Sequence, residues 1–157
     1  MKFSKNICII GARRSAIGKF MGTLSGQDPV GISAQVIRGG FDPQYMGLGP
    51  YYAVSSLLEE TGIDFKNIEC FELNEAFAAQ ALGSVKLLAG KYGVTEEDIL
   101  RITNPYGSGL GLGHPLGATG ARIIVTLAHY MKNTSKKRGA ASLCIGGGMG
   151  AAVLLTR

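Results

Sequence analysis

Seventeen consecutive residues, Asn104 to Gly120, contain six glycines, two prolines and no charge. Such a run disfavours a long helix or strand, because each glycine has more backbone entropy to lose and each proline lacks a donor N–H. Tight turns and close backbone approaches are expected there, and the segments on either side must supply the core.

Those segments alternate in type. Ile7 to Ile10 is β-branched and ends at Gly11, which predicts a short buried strand, followed by a basic loop over Ala12 to Gly26. Pro29 to Arg38 has Val30, Ala34 and Ile37 at helical spacing and Gly39-Gly40 as a stop, which predicts a helix. Pro50 suits the first turn of a second helix carrying Val54, Leu57 and Leu58 on one face and ending at Gly62. Ile68 to Leu73 reads as a strand, and Asn74 as the cap of a helix running through Ala76, Ala79, Leu82 and Leu87 to about Lys91. Thr95 and Asp98 resemble a capping box opening one short turn, with Ile99 to Thr103 as a strand after it. Beyond the glycine-rich stretch, Arg122 to Met131 has Ile123, Leu127 and Tyr130 on one side of a helix. Ala141 to Ile145 and Ala151 to Leu155 then form two strands around a glycine turn. Strand, helix, strand, helix, strand and a final hairpin predict an α/β fold with a mixed sheet covered by helices. At 157 residues the chain is long enough for one core and one domain, residues 1–157.

Charge and cysteine usage narrow the function. The net charge of +5 is mild, and the densest basic run, Lys136 to Arg138, lacks interleaved aromatic residues, so it reads as a solvated loop and no nucleic-acid partner is expected. Three cysteines at unrelated spacings, Cys8, Cys70 and Cys144, fit neither a disulfide framework nor a metal site; a reducing, cytoplasmic setting and no bound metal are expected. The apolar start is broken by Arg13 and Arg14, too soon for a signal peptide. Gly139 to Thr156 is uncharged for eighteen residues, but its centre, Gly146-Gly147-Gly148, suits two strands and a turn better than a membrane-spanning helix. Two phosphate-binding motifs fail on spacing. Six residues instead of four separate Gly11 from Gly18, and only seven residues follow Gly150, too few for a helix that would receive a pyrophosphate.

Three polar residues remain as candidates for chemistry. His114 lies between Gly113 and Pro115 just before a helix start, where proline rigidity would hold the imidazole in place; taken alone it is a turn histidine. Cys144 ends an apolar strand two residues before three glycines, which would let a bulky ligand approach its sulfur; taken alone it is a buried, inert thiol. With His114 in hydrogen-bond reach, the thiol pKa would fall toward neutrality. Asn74 stands at a strand-to-helix junction, where functional groups of α/β proteins gather, and taken alone it is a helix cap.

Together, in type, order and local sequence, Asn74-Glu75-Ala76-Phe77-Ala78, Gly113-His114-Pro115 through Gly120, and Cys144-Ile145-Gly146-Gly147-Gly148 resemble the thiolase family. Met46-Gly47-Leu48-Gly49-Pro50 resembles a segment of the same C-terminal half, and the match runs almost continuously from about Phe41 to the end. The resemblance implies a thiolase-like layered domain and acyl-CoA acetyltransferase chemistry, with acyl-CoA and CoA as substrates, no separate cofactor, and a place in fatty acid metabolism. It also implies roles. The Asn74 amide would hold a water in an oxyanion hole, the His114 imidazole would activate a nucleophilic thiol and bind the thioester oxygen, and Cys144 would move a proton to and from the acetyl methyl. Gly113, Gly146, Gly147 and Gly148 would border the bound thioester.

Residues 1–39 resemble the family's N-terminal start, with Arg14-Ser15-Ala16-Ile17-Gly18 where the family has Arg-Thr-Pro-x-Gly, and residues 41–157 resemble the C-terminal domain. The segment that would carry the acyl-accepting cysteine is not between them, and neither Cys8 nor Cys70 has that cysteine's surroundings. The chain is therefore expected to be a truncated thiolase, catalytically incomplete. The alternative is a non-catalytic interaction module or remnant that associates with itself as a homo-oligomer or with other thiolase subunits. The first strand and the 29–38 segment would substitute for the equivalent elements of the C-terminal half.

Overall fold

The structure, a computed structural model, describes the backbone of residues 7–9 and 30–38 and every residue from 39 to 157. The loop read at Ala12 to Gly26, with its rejected phosphate motif and the Arg14 to Gly18 run, lies outside the described residues.

Five strands form one mixed sheet in the order β1-β2-β5-β4-β3. They are β1 (Ile7–Ile9), β2 (Val30–Arg38), β3 (Cys70–Leu73), β4 (Arg138–Gly146) and β5 (Met149–Thr156). The pair β3 and β4 is parallel and the other neighbours are antiparallel. The helices are α1 (Gly49–Thr61), α2 (Ala78–Tyr92), α3 (Glu96–Ile102), the single turn α4 (Gly109–Leu112) and α5 (Thr119–Thr134).

The sheet separates two apolar layers because strand residues alternate between faces. Phe71 and Leu73 of β3, Ala140 of β4 and Ala152 and Leu154 of β5 pack with Val54, Leu57 and Leu58 of α1 and Val85 and Leu88 of α2. Cys70, Ala141, Val153 and Leu155 face the other way, against Ile123, Leu127 and Met131 of α5. The α1 pattern is as the sequence predicts, down to its stop: Gly62 has φ 69° and donates its N–H to the Leu58 carbonyl. The hairpin is also as predicted, and the stretch weighed as a membrane anchor is β4 and β5. No helix among the described residues is long and apolar enough to cross a membrane. The basic run lies at the start of β4, where the backbone N–H groups of Lys137 and Arg138 both donate to the Glu69 carboxylate and, with the positive charges of Lys136 and Arg138, hold its pKa below the usual value.

Three expectations are corrected. Residues 30–38 form a strand, not a helix: β2 pairs antiparallel with β5 over Gly31 to Arg38. Val30, Ile32, Ala34 and Val36 also satisfy a period of two, and β-branched residues favour it. The pairing covers backbone groups that would otherwise leave β5 as an open edge. Ile99 to Thr103 is mostly helix. The Thr95 hydroxyl accepts from Asp98 N–H, Glu96, Glu97 and Asp98 place negative charge in the first turn, and α3 continues to Ile102. Thr103 alone retains strand character, in an isolated parallel bridge to Phe71. Finally, Leu82 and Leu87 of α2 are exposed, and the buried face is Gln80, Ser84, Val85, Leu88 and Ala89.

Candidate active site

The late start of α2 frees Asn74 for another task. The helix begins at Ala78 with Phe77 at the cap position, and the two residues before it are held from inside it: Gln80 Oε1 accepts from the N–H of Ala76 at 3.1 Å and of Phe77 at 3.5 Å. Asn74 is therefore not the cap. It is fully buried, its own N–H extends the sheet by donating to the Ser142 carbonyl at 2.9 Å, and its side chain turns to His114.

Asn74 Nδ2 lies 3.4 Å from His114 Nε2, and His114 Nδ1 lies 2.7 Å from Thr119 Oγ1. The Thr119 hydroxyl donates its only proton to the Pro115 carbonyl at 3.0 Å, so toward the imidazole it is an acceptor. In a neutral imidazole this arrangement favours the tautomer with the proton on Nδ1, Nε2 presenting its lone pair to the Asn74 amide. Thr119 opens α5, so the first turn of a long helix anchors the ring. Gly113 bends the chain into the histidine with φ 90° and has open space where a side chain would stand.

The segment after β3 is held by side chains from far along the sequence. Asn104, at φ 50°, accepts from Leu73 N–H through Oδ1 at 2.8 Å and donates through Nδ2 to the Leu73 carbonyl and to Glu75 Oε1, both at 2.8 Å. Glu75 Oε2 accepts from Leu110 N–H of α4 at 3.3 Å. That turn sits so close that a side chain on Gly109 would fall 2.6 Å from the Glu75 carbonyl oxygen and 3.1 Å from Asn74 Oδ1. Asn74 Oδ1 is buried without a hydrogen-bond partner.

Below the pair lies an ionic contact that sequence reasoning missed. Glu72 is fully buried, and Arg122 Nη1 of α5 is 4.0 Å from its Oε2. Burial raises the Glu72 carboxyl to about 8, with Arg122 opposing. Arg122 Nη2 donates to Ser108 Oγ at 3.1 Å, and Ser108 donates to the Leu73 carbonyl at 3.1 Å. A signal was present: a carboxylate within the apolar run Cys70 to Leu73, and a guanidinium beside Ile123 on an apolar helix face.

Cys144 is half-buried near the end of β4, opposite Gly150 of β5 and two residues beyond Ser142, which receives the Asn74 N–H. Asn74 and Cys144 thus leave the same end of two neighbouring parallel strands. No hydrogen bond among the described residues joins the thiol to His114 or Asn74, and burial raises its pKa above the usual value, so the thiol is protonated at neutral pH. The lowering expected from a histidine partner is absent. Gly146, Gly147 and Gly148 all have positive φ. Gly146 faces open space, whereas a side chain on Gly148 would collide with the Phe41 carbonyl, so Gly148 keeps the hairpin tip against the segment that leads into α1.

Comparison with known proteins adds the family. A family model described as the C-terminal domain of thiolase matches residues 27–157. The peroxisomal 3-ketoacyl-CoA thiolase of Yarrowia lipolytica is 46% identical over 116 residues, 74% of this chain and 26% of that protein. An acetyl-CoA acetyltransferase of Syntrophomonas wolfei is 40% identical over 130 residues, 83% of this chain and 31% of that one. The solved structure of the acetyl-CoA acetyltransferase from Syntrophomonas wolfei superposes with a TM-score of 0.76 at 42% identity, covering 85% of this chain and 33% of that one. Human mitochondrial 3-ketoacyl-CoA thiolase in complex with CoA gives 0.71 at 35% identity, covering 82% and 31%. The chain thus spans between a quarter and a third of the length of these relatives. Motif order, sheet topology and sequence similarity agree, and the chain belongs to the thiolase family, which it represents by the C-terminal domain.

Proposed function

We propose that this chain carries the C-terminal part of a thiolase-type acyltransferase site that acts on acyl-CoA thioesters by Claisen condensation or thiolysis. The Asn74–His114–Thr119 chain of hydrogen bonds is the observation that carries the reading. Carbon–carbon bond formation between thioesters needs fixed donors for the charge that develops on the thioester oxygen. A water bound at the unpartnered Asn74 Oδ1 would be such a donor, and His114, once its Nε2 has taken up a proton, would be a second.

In this reading, Cys144 exchanges a proton with the acyl α-carbon once a bound thioester alters its surroundings, and Gly113, Gly146, Gly147 and Gly148 border the thioester. Coenzyme A enters as a substrate, with no metal and no nucleic acid required. The free thiols of Cys70 and Cys144 suit a reducing compartment such as the cytoplasm. The 157 residues act as one domain, a view supported by β1 and β2 joining the same sheet as the rest.

No acyl-accepting cysteine is assigned within these residues: burial, chiefly, and neighbouring Glu69 push the Cys70 thiol up to about 12. The isolated chain should therefore fail to thiolyse acetoacetyl-CoA while still exchanging the methyl hydrogens of acetyl-CoA with deuterium slowly. His114→Ala and Cys144→Ala should abolish that exchange. Equal exchange in all three proteins would refute the roles of His114 and Cys144, and thiolysis at ordinary enzymatic rates would refute the incompleteness.

A second reading, association with another thiolase subunit, is favoured by apolar side chains exposed around the site: Phe77 at 63%, Leu110 at 61%, Leu116 at 83% and Ile145 at 46%. Light scattering after size exclusion decides it, because a monomer that stays monomeric with added thiolase subunits excludes this role.

A further inference from the structure

We propose that Arg122 is a positioning residue for the Asn74–His114 pair, setting the spacing at which the amide meets the imidazole. The inference rests on the thiolase-type reading for what the pair does, and on geometry alone for how it is held.

Asn74 and His114 come from different elements, the end of β3 and the loop entering α5, and their contact is only as well defined as the separation of the two. Arg122 bridges that separation twice. It lies three residues after Thr119, so both project from neighbouring turns of α5, and Thr119 holds the imidazole at Nδ1. Its Nη1 faces the Glu72 carboxylate, two residues before Asn74, at 4.0 Å. Its Nη2 reaches Ser108, which passes the link to the Leu73 carbonyl, one residue before Asn74. A shift of α5 relative to β3 therefore disturbs a guanidinium fork, a hydroxyl relay and the imidazole together.

Packing does not account for these groups. Side chains of Glu72 and Arg122 are 0% and 9% exposed, and neither Glu72 oxygen nor Arg122 Nε or Nη1 has a hydrogen-bond partner. Hydrocarbon of similar volume serves a core as well or better than an ion pair so incompletely satisfied. What Arg122 supplies is direction: its Nη2 donates to Ser108 Oγ while Nη1 lies against Glu72, two fixed points that an apolar side chain cannot engage.

The imidazole reports the result directly. In 15N-labelled protein the ring nitrogens of His114 and His129, the two histidines of the chain, give separate tautomer ratios. In the parent protein His114 should be mainly the Nδ1–H form. Ser108→Ala and Arg122→Met should each lower that ratio by about fivefold, the factor that loss of one hydrogen bond sets. Arg122→Lys, which keeps the charge but not the fork, should fall between Met and parent. His129 should be unchanged throughout. A His114 ratio equal to the parent's in folded Ser108→Ala overturns the proposal, and this variant decides the matter if Arg122→Met does not fold. Binding of acetyl-CoA to the parent is measured in parallel. No binding alongside shifted ratios would sink the thiolase-type reading and leave the positioning role standing, whereas binding with unshifted ratios would do the reverse.

Discussion

The two faces of the sheet are built on different terms. Toward α1 and α2 the buried strand side chains are Phe71, Leu73, Ala140, Ser142, Ala152 and Leu154, with no charged side chain among them. Toward α5 the same strands bury Cys70, Ala141, Val153 and Leu155, but also Glu72 against Arg122. One face is a hydrophobic contact that tolerates small displacements. The other contains a charge whose stability depends on a partner at a fixed place, and that face carries the histidine. The difference shows where the domain trades stability for a defined distance.

The largest expected effect tests that trade. Above about pH 8, where Glu72 is ionised, Arg122→Met should lower stability to urea by about 3 to 5 kcal/mol, because it strands a buried carboxylate. Adding Glu72→Leu to it should recover most of the loss. A double variant as unstable as the single one would mean that shape rather than charge matters on the α5 face. Next, Leu57→Ala on the opposite face should cost about 3 kcal/mol by leaving a cavity. It should leave the His114 ring resonances unchanged, and a shift there would show that the two faces are not independent.

The last effect is spread over pH and is the smallest per pH unit. The Glu72 carboxyl titrates near 8 in the folded chain against 4.5 ordinarily, so between those values the folded state keeps a proton that the unfolded chain has released. Stability should then fall as pH rises from about 4.5 to about 8, with this group contributing at most about 1.4 kcal/mol per pH unit, and level off beyond. Glu72→Gln should remove that part of the slope. A slope in the parent that survives the substitution would place its origin elsewhere.

Much of this was legible in the sequence where the signal is local. The spacing of Val54, Leu57 and Leu58, and of Ile123 and Leu127, located α1 and α5, and the glycine triplet located the hairpin. Asn74 and His114 were identified by their surrounding runs and do meet. The 29–38 segment was misread because its apolar residues satisfy two periods at once. Only pairing with β5, more than a hundred residues away, decides between them. Asn74 was misread as a cap because the competing acceptor, Gln80, reaches backward from inside the helix. Arg122, Glu72, Ser108 and Asn104 escaped for the same reason. Each is defined by a partner 14 to 50 residues distant, and nothing in the neighbouring letters records that distance.

Asn104 does more than brace the site. Its side-chain amide meets the N–H and the carbonyl of Leu73 as a neighbouring strand would, while its own N–H donates to the Phe71 carbonyl at 2.8 Å. The outer margin of β3 is thereby shut by Asn104 together with the Thr103 bridge to Phe71, and a second molecule finds no free rungs there on which to add itself and polymerise.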